Sequence, residues 1–481
     1  MYNSNVVELL KSFSAWELNH LEDFLDSPFH NKNKRVRRLF RHLRAAIEAG
    51  DRSQLDKEAC FDAVYAQEEF DKQKLYNISS LLFRNINAYA SFRRYQHEKG
   101  DQLLHLLTEH ITRKNWSAYE KTAKQLQNLG FRGEDKEFYS YRAGILRIRK
   151  DLETQRLSNE AFYTTIDHLD RFYLFARLRM ACEYLNRGNV ITHEQNNVSD
   201  IEPLLGLLHK PSSASEEGSS LQLYSNIYRM LTSPDQPDFF QKCISLLRTD
   251  EFLGLEDKRD GASYCINYCI RQLNLGKLEY QRQLFELYIW TIEEEILFEA
   301  GELAEWHFKN IVSITIRENQ LDYAEEFVQK YSGFLPEAVR ENASQFNRAS
   351  IYFARKAFSK AKKLLIKVQF LDIFYSLDSK VLLAKIYFEE GEFEALNNLL
   401  KTFNTFLSRD NILSENQRSI YKNFIWLVTK LVEIAELVRL VPISQMKAKN
   451  AELKAGLEKR RNTAQYAWVH EKVESLGVAD S

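Results

Sequence analysis

Several groups of side chains in this sequence of 481 residues combine types and spacing that could do chemistry. Cys265 and Cys269 stand four apart, which places two thiols on one helical face as a pair of metal ligands requires. No second ligand pair is near in sequence, and a free cysteine behaves as a small hydrophobe, so packing thiols are expected. His105, Glu109 and His110 form another group, but residues five apart point about 140° apart around a helix, which separates the two imidazoles. Glu293-Glu294-Glu295 and the set Asp322, Glu325, Glu326 have the composition of general acid–base pairs. At single-turn helical spacing they read instead as solvated faces.

The densest cluster is basic. Lys32, Lys34, Arg35, Arg37, Arg38, Arg41 and Arg44 supply seven cations in thirteen residues. On a helix, Val36, Leu39, Phe40, Leu43 and Ile47 share one sector, and Lys34, Arg37, Arg38, Arg41 and Arg44 fall opposite them. Such a stripe could contact phosphate backbone, an acidic partner or an anionic membrane surface. An ordinary solvated face, or one covered by acidic helices of the same protein, is the favoured reading, and no aromatic residues interleave it as single-strand binding would require.

Motifs that carry catalysis are missing: there is no GxxxxGK[ST], GxGxxG, HExxH, GxSxG or paired CxxC. Glycine is scarce, at 16 residues, as is proline, at 7, against usual levels of roughly 7% and 5%. A phosphate-cradling loop or a hairpin-rich sheet would lack its usual material. No catalytic residue, cofactor or metal is therefore expected. Hydrophobic residues at 44% exclude a disordered chain. With 66 basic against 67 acidic residues, no global field draws in nucleic acid or membrane. The amino terminus lacks a basic segment followed by an apolar run, and the most apolar stretch, Phe424 to Val441, is broken by Lys430, Glu433, Glu436 and Arg439, so no membrane insertion is expected. Five cysteines without framework spacing suit free thiols and a cytoplasmic location.

What remains is helix. Ser14 and Glu17 make a capping box flanked by Phe13 and Leu18 as a hydrophobic staple. Trp16, Leu18, Leu21, Phe24 and Leu25 then recur at helical spacing until Pro28. Further helices are predicted over Lys34 to Ala49, Asp56 to Ala66 and Lys72 to Glu98, with Gly50, Gly100, Gly188, Gly276 and Gly391 at helix ends. From about residue 101 the chain reads as successive helical hairpins. Ile311–Val328, Ala349–Leu365 and Leu383–Leu399 each run helix, turn, helix, with Ala324, Ala361 and Ala395 spaced by 37 and 34 and Leu321, Phe358 and Phe393 by 37 and 35. Such periods mean paired helices that bury their apolar faces by stacking.

These hairpins resemble tetratricopeptide repeats. That family carries a small residue and an aromatic in its first helix, an aromatic at the turn and an alanine in its second. Ala349, Tyr352, Phe358 and Ala361 match in register. Ala384, Tyr387, Gly391, Phe393 and Ala395 match as well, with Ala395 one residue early, so a shortened turn is expected there. The first hairpin keeps Asn319 and Ala324 but has Thr315 at the aromatic position. The segment from Phe13-Ser14 to Asn33 also resembles the amino-terminal region of uncharacterised bacterial helical-repeat proteins, from which no activity follows.

The resulting expectation is an all-α solenoid of stacked antiparallel hairpins. Residues 1–100 would form an amino-terminal helical domain, 101–441 a tetratricopeptide-like array interrupted by a polar loop at 193–220, and 442–481 a charged capping helix and tail. By that resemblance the protein is a non-catalytic scaffold that binds an unidentified protein or peptide on the concave face. The alternative is a nucleic-acid-associated or regulatory protein using the basic face of helix 34–49. An enzyme with an unrecognised site between hairpins ranks last.

Overall fold

The structure is a computed structural model that describes residues 4–66, 68–156, 158–191, 201, 219–366, 373–409, 413–437 and 443–477. Among the described residues it contains 22 α-helices and a single two-stranded hairpin of two residues per strand. Those residues form two compact units, one up to Arg177 and one from Leu178 onward. The polar loop expected at 193–220 lies outside the described residues except for 201, 219 and 220.

In the first unit, α1 (Asn5–Lys11), α2 (Ala15–Asp26), α3 (Lys34–Glu48), α4 (Lys57–Tyr65) and α5 (Lys72–His97) enclose one apolar cluster running from Val6 to Tyr89. The capping box is present: Glu17 N–H donates to Ser14 Oγ at 3.3 Å, and Ser14 N–H donates to Glu17 Oε2 at 2.6 Å. Satisfying two orphan amides this way fixes where α2 starts. Leu18, Leu21, Phe24 and Leu25 are buried as predicted. Trp16 is not: it is 57% exposed and its ring lies 3.9 Å from that of His20. On α3, Val36, Leu39, Phe40 and Leu43 are fully buried. A second cluster, from Leu104 onward, joins α6 (Lys99–Thr112), α7 (Trp116–Gln127) and α8 (Gly133–Glu153), before α9 (Asn159–Ile191).

The second unit continues with α10 (Ser219–Thr232), α11 (Pro237–Thr249), α12 (Leu255–Asn274), α13 (Glu279–Glu293), α14 (Glu305–Arg317), α15 (Leu321–Tyr331), α16 (Glu337–Ala354), α17 (Phe358–Leu365), α18 (Ile373–Glu390) and α19 (Phe393–Arg409). Each packs on its sequence neighbour, and α14, α16 and α18 also pack on one another in succession. This is the contact pattern of stacked hairpins.

The turns are what repeat. At the end of α14, Gln320 N–H donates to Thr315 O and Asn319 N–H to Ile316 O, both at 3.0 Å. The same two bonds close α16, from Ala357 to Tyr352 and from Lys356 to Phe353, and α18, from Glu392 to Tyr387 and from Gly391 to Phe388. The central residues Asn319, Lys356 and Gly391 have φ of 56°, 58° and 72°. This is the Schellman cap, in which a left-handed residue meets the orphan carbonyls of the last turn. Gly50, Lys114, Gln155, Gly276 and Glu295 close five further helices with the same paired bonds and positive φ.

Three expectations need correction. Gly188 lies within α9, and Gly100 stands in the first turn of α6, where a Cβ would come within 2.5 Å of the Tyr139 ring. Glycine is required there by close packing and not by a turn. The third hairpin's turn is not shortened: Gly391 precedes the first residue of α19 by two positions, as Asn319 and Lys356 precede theirs. Leu396 takes the buried place that Ala324 and Ala361 hold, leaving Ala395 half-buried. Ala349, Ala361 and Ala384 are fully buried, whereas Tyr352, Tyr387, Phe358 and Phe393 are half-buried. Thr315 is buried and donates to Ile311 O at 2.6 Å.

Two helices follow α20 (Glu415–Leu437) where one was expected: α21 (Ile443–Lys459) and α22 (Tyr466–Gly477). Asn423 Nδ2 holds the intervening turn by donating to Asn462 O at 2.9 Å, and Gln465 turns the chain with φ of 54°. Leu453, Leu457, Trp468, Val469 and Val473 complete a cluster with α18, α19 and α20. Under α22 the Lys385 ammonium donates to Gln465 Oε1 at 3.1 Å and lies 4.6 Å from the Phe353 ring centroid. Burial lowers its pKa to about 8.

A side chain in the left-handed region costs about 1 kcal/mol relative to glycine. Lys356→Gly and Gln155→Gly are therefore expected to raise stability in urea unfolding by about 0.5–1 kcal/mol, and Gly391→Ala, whose Cβ would meet nothing within 4 Å, to lower it by about 1 kcal/mol.

Candidate interaction sites

The basic face of α3 is largely answered by α2. Arg41 donates to Glu22 at 2.6 Å and to Asp26 at 2.8 Å. Arg37 pairs with Asp26 at 3.2 Å, and Arg44 with Glu22 at 3.0 Å and Glu48 at 2.8 Å. Hydrogen bonds to these carboxylates raise the pKa of Arg41 and Arg44. Lys34 and Arg38 are exposed and form no ion pair among the described residues. Five predicted cations thus become two open ones, which weakens the field that phosphate recognition would use.

The other chemical groups are dispersed. Cys265 and Cys269 are buried, and all five cysteines are free. A hydrogen bond with Cys243 together with burial holds the Cys265 thiol well above its ordinary pKa, and burial pushes Cys269 up to about 12. Among the described residues no group of histidines, cysteines and carboxylates is placed to hold a metal ion. His105 is exposed and Glu109 pairs with Arg113 at 3.1 Å. Glu293, Glu294 and Glu295 are exposed. Asp322 and Glu325 both receive the Arg355 guanidinium from the end of α16, Asp322 at 2.7 Å, and Lys362 bridges to Glu390 and Glu392 at 2.7 and 2.8 Å. These bridges link successive hairpins, at modest energies for exposed pairs.

Two cavities were not visible in the sequence. One, of about 840 Å³ in the first unit, lies on α5 against Leu75, Tyr76, Ser79 and Phe83, with Lys57, Lys72 and Arg84 around it. The other, of about 730 Å³ in the second unit, is the more polar in its chemistry. It exists because residues 294–304 separate α13 from α14, where three residues suffice between α14 and α15. The insert folds as a hairpin, Phe298–Glu299 pairing with Glu302–Leu303 around Ala300 and Gly301, both at positive φ. Arg259 anchors it from α12 by donating to Ile296 O at 2.9 Å and Phe298 O at 2.7 Å.

His307, in the first turn of α14, lines this second cavity with its Nδ1 buried and without a hydrogen-bond partner. Burial lowers its pKa to about 4, the Glu299 carboxylate opposing the shift. Asp260, Glu299, Glu302, Glu305 and Arg259 are the other charged groups in the lining. Ser263, also in the lining, donates to the Arg259 carbonyl at 2.9 Å and not to the imidazole. Asp260 accepts from Arg179 at 3.3 Å and from the Tyr224 hydroxyl at 3.0 Å. Compared with family models, curated proteins and solved structures, the chain matches none.

The imidazole gives stability a pH dependence whose sign is fixed. Unfolded, it titrates near 6.5; folded, near 4. The unfolded chain binds the extra proton between those values, so this contribution is intact above about pH 6.5 and is lost on acidification toward pH 4, by up to about 3 kcal/mol. The urea midpoint of the parent should fall more than that of His307→Gln as the pH falls from 7 to 4.5; parallel pH profiles would remove His307 as the cause.

Proposed function

We propose that this chain is a non-catalytic scaffold or adaptor that binds a protein or peptide, and that the hairpins from Glu305 to Arg409 are tetratricopeptide-like units of its array. The observation that carries the reading is the recurrence of one turn: Asn319, Lys356 and Gly391 follow at 37 and 35 residues, each in the left-handed region and each two positions before the next helix. A repeated turn gives successive hairpins the same exit angle, and hairpins so related present extended surfaces suited to peptides. Support against chemistry of its own comes from the second cavity, whose hydroxyl and imidazole are not joined as a nucleophile and base would be. Five buried free thiols support a cytoplasmic setting. Among the described residues no helix is long and apolar enough to cross a membrane.

Affinity capture with the full chain, followed by mass spectrometry, is expected to return a reproducible partner that survives moderate salt; replicate captures without one count against the scaffold. The basic-face alternative has less support, since α2 neutralises Arg37, Arg41 and Arg44. Titration with duplex and single-stranded nucleic acid is expected to show no salt-sensitive binding that charge reversal at Arg37, Arg38 and Arg41 abolishes.

A further inference from the structure

The larger cavity lies where the starts of α1 and α4 meet the first half of α5. Over its 26 residues α5 carries five lysines and arginines and no carboxylate. Three of those cations are answered: Lys74 by Glu68 at 2.6 Å, Arg93 by Glu17, and Arg94 by Glu98 at 2.5 Å. The two left over, Lys72 and Arg84, both line the cavity, and so does Lys57, the one basic residue of α4. All three are exposed, and none forms an ion pair among the described residues. Asp56 is the single carboxylate in the lining, so open cations outnumber it three to one.

A second, independent feature is what lies between the charges. Along α5 the lining residues Lys72, Tyr76, Ser79 and Phe83 follow at steps of four, three and four, with Arg84 next, which sets them along one side of the helix. Buried Val6 and Leu75 and half-buried Phe83 make the wall apolar, and Tyr76 stands 67% exposed beside them. At about 840 Å³ the cavity has the size of a ligand-binding cleft. Its charges are far apart: twelve residues of helix separate Lys72 from Arg84 by about 18 Å along the axis. No compact anion reaches both. An extended peptide covers that distance in about six residues.

We propose that this cavity docks an extended acidic peptide segment of a partner protein, with one carboxylate at Lys72, another at Arg84, and apolar side chains between them against Leu75, Tyr76 and Phe83. Lys57 adds a third positive charge from the α4 side, and Ser79 and Ser80 offer hydroxyls to the peptide backbone. Charge selects the class: a basic segment meets unpaired cations, and a wholly apolar one leaves them unanswered. That the guest belongs to a protein rests on the scaffold reading above.

The test is calorimetric titration of the full chain, at low and moderate salt, with the acetylated and amidated peptide Glu-Ser-Leu-Ser-Phe-Ser-Glu, whose acidic and apolar side chains share one face of a strand. Two control peptides carry glutamine for both glutamates, or serine for leucine and phenylalanine. The acidic peptide should bind one per chain and weaken with salt, and each control should bind about tenfold more weakly. Lys72→Gln with Arg84→Gln should weaken binding about tenfold, and Tyr76→Ser about fivefold, without lowering the thermal midpoint, since these side chains are exposed. Lys34→Gln with Arg38→Gln removes the same charge from the open cations of α3 and should leave binding unchanged. No saturable binding of the acidic peptide, or equal losses in the two double variants, overturns the site. Tighter binding of octanoate or of a single-stranded hexathymidylate than of the peptide overturns it as well, in favour of a small apolar acid or of nucleic acid. Failure here is distinguishable from failure of the scaffold reading: a captured partner retained by the Lys72 and Arg84 double variant leaves the scaffold standing without this cavity, and peptide binding without any captured partner does the reverse.

Discussion

An α-helix leaves its last four carbonyls without intrahelical donors, and in this chain those carbonyls are repeatedly met by the amide of a left-handed residue and the amide that follows it. That one arrangement ends the helix, reverses the chain and sets the angle at which the next helix departs. The small residues Ala324, Ala349, Ala361 and Ala384 are fully buried where the turn delivers one helix alongside the other. The ion pairs of Arg355 and Lys362 then join neighbouring hairpins. Where the turn is followed by an insert, at residues 294–304, the spacing opens and the cavity beside His307 appears.

Charge is handled locally throughout. The near-equality of 66 basic and 67 acidic residues says only that the sum is small. The arrangement matters more: α2 answers α3, Glu17 serves both the α2 cap and Arg93, and Glu389 accepts from Trp468 and Lys472 beneath the last helix. The second cavity departs from this habit, with carboxylates facing each other across a ladder.

Much of the helical architecture was legible because it follows from short-range physics. Capping boxes, proline stops and apolar stripes act within one or two turns, and α2, α3 and the hairpins from Glu305 to Arg409 lie where those signals put them. What escaped involved partners distant in sequence. Nothing near Gly100 announces that Tyr139 will pack on it, and nothing near Arg41 announces Glu22 and Asp26. The cavity was hidden for the same reason, since Arg259, Tyr288, Glu302 and His307 come from four elements. Helical spacing also does not settle burial: Trp16 shares the period of Leu18, Leu21, Phe24 and Leu25, yet its ring rides on the surface.

The left-handed positions that close these helices are held by lysine, glutamine, glutamate, asparagine and glycine alike. The repeat is thus inscribed in backbone torsion and not in residue identity. Substitution at such a position therefore alters how firmly a corner is held, at about 1 kcal/mol against glycine, and leaves the course of the chain unchanged.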